Sequence, residues 1–497
     1  MHPAPATGRF GRSMFIALAA SAALTTHAQA SIAISTNATA NMSCAAGVCT
    51  ATSAVATYNV NDLQTALATG NLELSTGTPG GDIDVRAPVS WSSKKTLTLD
   101  ANHSIVFDKP IKVTGKGGLI LAPNGGANGG VLQFSVGKSV SFASADSKLT
   151  IGGLTFKLKG SLAELGNAVQ ANQNGNYALM NDIDASKNGT YAQAPVGTVN
   201  GAFNGLGHVV SNLTISDSQQ FDAAALFAQV GASGSVANLF VLNANITAMD
   251  SSSAGVVVGG SSGAISLVTA TGTINAGPTT SSGGIVGQNN GGTVFGAYAK
   301  VVVNGGRYVG GLVGLNLSGS ISQSAAGGPV TANDNGFGGG LVGGNFASVA
   351  DCVARGNVTV GANAYGGGLV GDNYTSNAQS GIILTSYSTG TVTGTSTSII
   401  GLSAGFNNAD PPLVRAIIYD TTSGSLKTMA KPTGLAGPTD DPPVGSGDKG
   451  SFYGRSRREI NSGVPHGYVK KTWEENPAET EKGNDELVPV AVGDLGG

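Results

Sequence analysis

Four near-copies of one phrase lie between Gly283 and Asn373, and they constrain the fold more than anything else in the chain. They read Gly283-Gly-Ile-Val-Gly-Gln-Asn289, Gly310-Gly-Leu-Val-Gly-Leu-Asn316, Gly339-Gly-Leu-Val-Gly-Gly-Asn345 and Gly367-Gly-Leu-Val-Gly-Asp-Asn373, with starts 27, 29 and 28 residues apart. A looser copy, Gly255-Val-Val-Val-Gly259, precedes them, and a decayed one, Gly401-Leu-Ser-Ala-Gly-Phe-Asn407, follows. Self-similarity at a period of this size marks a solenoid, in which each unit buries its apolar side against its neighbours.

The phrase is followed in each unit by a segment such as Ile321-Ser-Gln-Ser324-Ala-Ala326 and then by one such as Val358-Thr-Val360. Three short strands and three turns in about 28 residues make one coil of a β-helix, at ~3.3 Å per strand residue. Leu312, Leu341 and Leu369 are expected to stack inside, as are Ile321, Val349 and Ile383. Each buried aliphatic contributes roughly 1.5–3 kcal/mol, and only stacked coils can offset the entropy of ordering a glycine-rich chain. The glycines mark close backbone approach or positive φ. Asn289, Asn316, Asn345, Asn373 and Asn407 suit a turn where side-chain amides bond along the stack, so they read as a structural ladder before they read as ligands. Cys352 fills the slot of Ala297, Ser324 and Ser386, where a free thiol packs as a small hydrophobe.

With charged residues at only 11%, the surface must be built from Ser, Thr, Asn and Gly. A net charge of −3 gives no electrostatic case for nucleic acid. Residues 1–30 have the form of a secretory signal: Arg9 and Arg12, an apolar run from Met14 to Leu24, and Ala28-Gln29-Ala30 with cleavage after Ala30. No other stretch is long and apolar enough to span a bilayer. Cys44 and Cys49 are close enough for a local disulfide of the kind exported proteins keep; the alternative is two free thiols.

Beyond the leader the chain divides into residues 31–160, 161–250, 251–410 and 411–497. Asn61 to Thr69 reads as a short helix, capped by Asn61 or Asp62 and ended at Gly70 in a left-handed conformation. From Leu72 to Ile151 the apolar period is two, in short strands that suit a β-helix, a sandwich or a barrel. Ser161-Leu-Ala-Glu164 has capping-box spacing, with Leu162, Leu165 and Val169 as an apolar helical stripe. The tail from about Leu426 is rich in Pro and charge and reads as largely disordered.

Tyr58-Asn-Val-Asn-Asp-Leu-Gln-Thr-Ala-Leu67, Gly81-Asp-Ile-Asp-Val85, Ser90-Trp-Ser-Ser-Lys-Lys-Thr-Leu-Thr-Leu99 and Ile111-Lys-Val-Thr-Gly115 resemble a coil region of filamentous-haemagglutinin-type bacterial exoproteins. The phrase itself, with its lead-in from Tyr177 to Phe240, resembles GLUG-motif repeat arrays. The resemblance implies an all-β fold, a right-handed parallel β-helix with two short helices. It also implies a bacterial cell surface or secreted location, an outer-membrane secretion partner and adhesion. The Asn-Pro-Asn motifs of that family's secretion domain do not occur; the nearest is Pro123-Asn-Gly.

Catalytic patterns are missing from the sequence. Between Gly255 and Gly405 the charged residues are Lys300, Arg307, Asp334, Asp351, Arg355 and Asp372, and Asp351 and Asp372 fall at different points of the repeat, so no carboxylate pair is evident. His103, His208 and His466 are isolated, and no metal or cofactor motif is present. Asp182-Ile-Asp184-Ala-Ser186-Lys-Asn188 has the alternate oxygens of a calcium loop, but lacks the mid-loop Gly and closing Glu, and reads as an ordinary turn. The expectation is therefore an exported, non-enzymatic adhesin that meets glycans or cell-surface proteins through a polar β-helix face, without a cofactor. The alternatives are a polysaccharide-acting β-helix enzyme and a purely structural piece of a larger exoprotein. A specific site is expected in the segments between coils, such as Asn304–Tyr308 or Asn333–Phe337.

Overall fold

In this computed structural model the described residues are 30–401, apart from 78–79, 126–128, 218–222, 250–252 and 377–378, followed by 403–408, 413–415, 417–420, 452–455, 473–475 and 487–489. The leader, but for Ala30 at the start of the strand Ala30–Ser35, and most of the tail lie outside them. The chain is an all-β solenoid of about 12 turns, about 54% strand, with two α-helices. Successive coils pair in parallel and in register, so one residue type forms a column along the axis. Leu72, Leu97, Leu119 and Leu149 make one such column, and Ile321, Val349 and Ile383 another. Leu312, Leu341 and Leu369 are fully buried, and each passes a backbone hydrogen bond to the next coil.

The glycine phrase straddles a corner. The strand Tyr308–Gly310 ends on its first glycine, Gly311 and Leu312 turn, and Val313–Asn316 begins a second sheet. These two sheets meet backbone to backbone. A Cβ on Gly310 would lie 2.8 Å from Gly343 N of the next coil, and one on Gly314 would lie 2.6 Å from Ser282 N of the previous coil. A Cβ on Gly311 would lie 2.8 Å from the Ala326 side chain. None of the three has a positive φ, so glycine is required there for space and not for conformation.

The third side of the coil departs from expectation. From Ser320 onward it is broken into three pieces, as in Ser320–Ser322, Ala325–Ala326 and Val330–Ala332, so such a coil has five short strands where three were expected, whereas two earlier coils run it as one strand, Ser235–Ala248 and Ala264–Ala276. The position of the first break is a column of left-handed residues that begins where the strand Ala264–Ala276 is still continuous: Leu267, Gly296, Gln323, Asp351 and Thr385. Four of the five carry a side chain, which leaves no composition signal for the bend.

Two apolar cores run along the axis. One draws on Ile32 to Leu158 together with Ala178 and Leu206, the other on Leu162 to Ile400, so most of the bridging region 161–250 shares its core with the repeats. Each core includes a 10-residue helix. The first, α1 (Val60–Thr69), is capped by Asn59, not by Asn61 or Asp62: the Asn59 side chain accepts from the N–H groups of both. Its last turn ends at Gly70 in extended, not left-handed, backbone. The second, α2 (Leu162–Ala171), is capped by Ser161, whose hydroxyl accepts from Glu164 N–H, while Glu164 accepts from Gly160 N–H. Leu162, Leu165 and Val169 are its buried stripe, and it packs on Val196–Val199, the first strand of the second sheet, covering an edge that would otherwise be open. The chain passes between cores through an antiparallel hairpin, Leu149–Ile151 with Leu154–Lys159, turned at Gly152 and Gly153 with φ of 55° and 83°. No helix among the described residues is long and apolar enough to cross a membrane.

Backbone contact at the corner separates two kinds of glycine. Gly343→Ala should destabilise the solenoid by about 1–3 kcal/mol or more, because its Cβ meets the Val309 and Tyr308 backbone. Gly260→Ala, whose Cβ meets only the end of the Gln229 side chain at 3.4 Å, should be close to neutral. Paired thermal melts of the two variants measure the difference.

Candidate functional site

The repeated asparagines are fully buried, with Asn289, Asn316, Asn345 and Asn373 at 0% exposure. Each amide nitrogen donates one hydrogen to a carbonyl of its own turn and the other to the Oδ1 of the next asparagine. The inter-coil bonds are 2.9 Å from Asn289 to Asn316, 2.8 Å from Asn316 to Asn345, 2.8 Å from Asn345 to Asn373 and 2.9 Å from Asn373 to Asn407. The ladder ends upstream at Ser261, whose hydroxyl donates to its own turn at Gly263 O and leaves Asn289 Oδ1 without a donor. Between the two ends of the ladder the amides are spent on each other and on their turns; only the buried Asn289 Oδ1 at one end and the Asn407 amide nitrogen at the other lack a partner.

A second internal ladder accounts for Cys352. Ala297 N–H donates to Ser324 Oγ at 3.1 Å, and Cys352 N–H donates to Ser386 Oγ at 3.1 Å. Ser324 Oγ, Cys352 Sγ and Ser386 Oγ each donate to the carbonyl two residues back. Burial pushes the Cys352 thiol up to about 12, so it is a weak hydrogen-bonding side chain and not a nucleophile. Cys44 and Cys49 stand opposite each other in the antiparallel hairpin Met42–Ala45 with Val48–Ala51, joined by a disulfide.

The remaining candidates are also held in structural roles. His208 is buried and joins the two cores: Nδ1 is 2.8 Å from Asp182 Oδ1, and Nε2 is 2.8 Å from Val140 O on the N-terminal side. The hydrogen bond from His208 holds the Asp182 carboxyl below its ordinary range. Asp184, the next oxygen of the calcium-like spacing, accepts from Ser186 and from Asn212. His103 Nδ1 lies 2.6 Å from Asp82 Oδ1. His466 lies outside the described residues. No group of three or more His, Cys, Asp or Glu able to hold a metal occurs among the described residues.

What the inner ladders leave is an outer one. Tyr308, Phe337 and Tyr365 occupy the same position two residues before the glycine pair of three successive coils, where the first repeat has Ser281, and their rings stack along the axis. Centroids are 5.1 Å and 5.2 Å apart, with planes within 13° and 10° of parallel. The Arg307 guanidinium lies over the Tyr308 ring at 5.5 Å, and Phe406 and Tyr365 meet in an edge arrangement at 5.4 Å. The rings are half-buried. The turns before them delivered this row: Gly305 and Gly306, then Asn335, then Asn363, all have positive φ. Sequence reasoning pointed to the first two of these segments but missed the row, whose signal was the shared repeat position.

The row leans over the second sheet. Beside it runs the column Leu315, Gly344, Asp372 and Phe406, and the missing Cβ of Gly344 would lie 2.6 Å from Tyr308 Cδ1. Asp372 is 6% exposed, and its Oδ1 is buried without a hydrogen-bond partner. Burial pushes this carboxyl up to about 7, against a lowering pull from Arg307, and its charge in turn helps to raise the Tyr308 hydroxyl. Asp351 is elsewhere, at the bend of the third side, where it accepts from Thr385 Oγ1. The two acids do not form a pair. Exposed Thr331, Thr359 and Thr393 continue a polar column begun by Asn275 and Asn304, which are bonded at 3.0 Å.

No family model and no curated protein matches the chain. Among solved structures it is similar to a Bacteroides ovatus protein, provisionally named an immunoglobulin A1 protease, at 16% identity and a TM-score of 0.44. The match covers 68% of this chain and 92% of that one.

Asn345→Ala removes the acceptor of Asn316 and the donor to Asn373, which should cost about 1–3 kcal/mol per buried group left unpaired; a lowered melting temperature is the readout. Asp372 predicts a pH-dependent stability. Its ordinary value is 3.8, so on unfolding it releases its proton between 3.8 and about 7, and native stability falls as pH rises through that window. Asp372→Asn should raise the melting temperature at pH 8, where the buried charge costs at most roughly 4 kcal/mol, and leave it unchanged near pH 4.

Proposed function

We propose that this chain is an exported β-solenoid that works by binding, with a glycan as its ligand, and that it carries no catalytic centre. The supporting observation is the outer surface: one aromatic ring per coil in the Tyr308–Phe337–Tyr365 row, and one hydroxyl or amide per coil in the Asn275 to Thr393 column. Such columns present the same group again and again at the coil spacing. A polymer with its own short repeat can match that array with many weak contacts, where a single compact ligand meets only one or two. The Cys44–Cys49 disulfide favours an oxidising compartment and hence export to the cell surface or medium. An adhesin role, with glycans or proteins of another cell as partners, is the setting that suits such a surface.

Cell fractionation together with a glycan array of the leader-free chain tests this reading. The expected result is chain in the envelope or medium that retains one or more glycans intact. Strictly cytosolic chain, a blank array, or polysaccharide cleaved by the purified protein would each overturn it.

A further inference from the structure

We infer that the Tyr308–Phe337–Tyr365–Phe406 strip is a binding track for an extended glycan lying parallel to the solenoid axis, with Asp372 accepting hydrogen bonds from its hydroxyl or amino groups. The inference rests on the glycan-binding reading above and assigns it a place and a selectivity. Phe337 is stacked between Tyr308 and Tyr365, Arg307 lies over the Tyr308 ring, and Phe406 makes an edge contact with Tyr365. A ligand therefore meets a continuous row of ring edges, and not a flat platform for a single sugar. Ring centroids lie 5.1 Å and 5.2 Å apart, and the coils advance along the axis by roughly the 4.7–4.9 Å spacing of paired strands, near the step between neighbouring rings of an extended β-linked glycan. An extended peptide repeats its side chains every two residues, roughly 6.6–6.8 Å, and falls out of step within a few coils.

Asp372 supplies the polar element. Its column holds Leu315 and Gly344 in the two preceding coils, so the scaffold does not require an acid there. The side chain is more than nine-tenths buried beside the aromatic row, and Oδ1 has no donor within the described residues. Arg307 is close enough to influence it but makes no ion pair with it. A buried acceptor that lacks a donor is costly alone and is relieved by a ligand that brings one. Neutral and amine-bearing glycans carry such donors. A polyuronate brings acceptors and like charge, and is disfavoured.

Affinity electrophoresis of the leader-free chain in native gels containing a β-glucan, glycol chitosan or polygalacturonate tests the track. Retardation is expected in the first two gels and not in the third. Asp372→Leu, which places in the slot the residue the column already carries at Leu315, should weaken retardation about tenfold or more. Phe337→Leu, which interrupts the row, should also weaken it, and Lys112→Ala on the N-terminal core should not. Thermal melts of each variant keep loss of binding distinct from loss of fold. Retardation by polygalacturonate, or undiminished retardation of folded Asp372→Leu and Phe337→Leu, overturns the track. If the array is positive in that case, glycan binding stands and lies elsewhere on the solenoid. No retardation in any gel with a blank array removes both readings.

Discussion

Backbone against backbone at one corner is the contact on which the repeat depends. Gly310 of one coil and Gly343 of the next leave no space for a side chain between two sheets, and Gly311 leaves none against Ala326. This contact brings the strand Tyr308–Gly310 of one coil onto Val342–Asn345 of the next, so every coil is locked to its neighbour face-on as well as by the parallel ladder. Since no coil can bury this surface alone, stability must be gained cooperatively along the axis. The buried Leu312, Leu341 and Leu369 lie at the turn of the same corner, where their packing and the glycine contact support each other.

Translation by one coil then does the same thing to every kind of side chain. Inside, it places an asparagine amide within 2.8–2.9 Å of the next and satisfies buried polar groups that would otherwise oppose folding. Outside, it stacks Tyr308, Phe337 and Tyr365. The inner ladder and the outer row share one geometric cause and differ in what they leave over. The amides are spent on one another except at the two ends of the ladder, and Thr359 and Thr393 bond each other, whereas the ring edges and the Asp372 Oδ1 are left over. Recognition by this molecule is therefore sought on the surface that the scaffold does not consume.

Much of the scaffold was legible because a repeat converts sequence positions directly into spatial neighbours. The columns of Leu312 and Ile321, the asparagine ladder and the packing slot of Cys352 follow from aligning the units. The five-stranded coil did not, because its bend falls on Gln323, Asp351 and Thr385, residues with no shared chemistry. The helix cap moved from Asn61 or Asp62 to Asn59, since all three can cap and only backbone geometry selects among them. Gly70 ends that helix without using the left-handed freedom that made it a stop signal. The aromatic row is one position in three units, but its members alternate between Tyr and Phe and the first repeat carries Ser281 there, so the position lacks the identity that marks the glycine phrase.

By itself, then, the sequence determined the period, the parallel stacking and the identity of the inner columns, because those depend only on which residues recur and how far apart. Tertiary structure decided how closely the sheets approach, where each coil bends and which outward residues are covered. Asp372 illustrates the division. In sequence it is a lone acid on a polar strand, indistinguishable from a solvated one. Its environment is made by rings contributed from neighbouring coils, Tyr308 far upstream and Phe406 downstream, and the resulting loss of water sets its proton affinity. Short-range pattern can place such a residue on a face, but only the packed coils determine what stands over it.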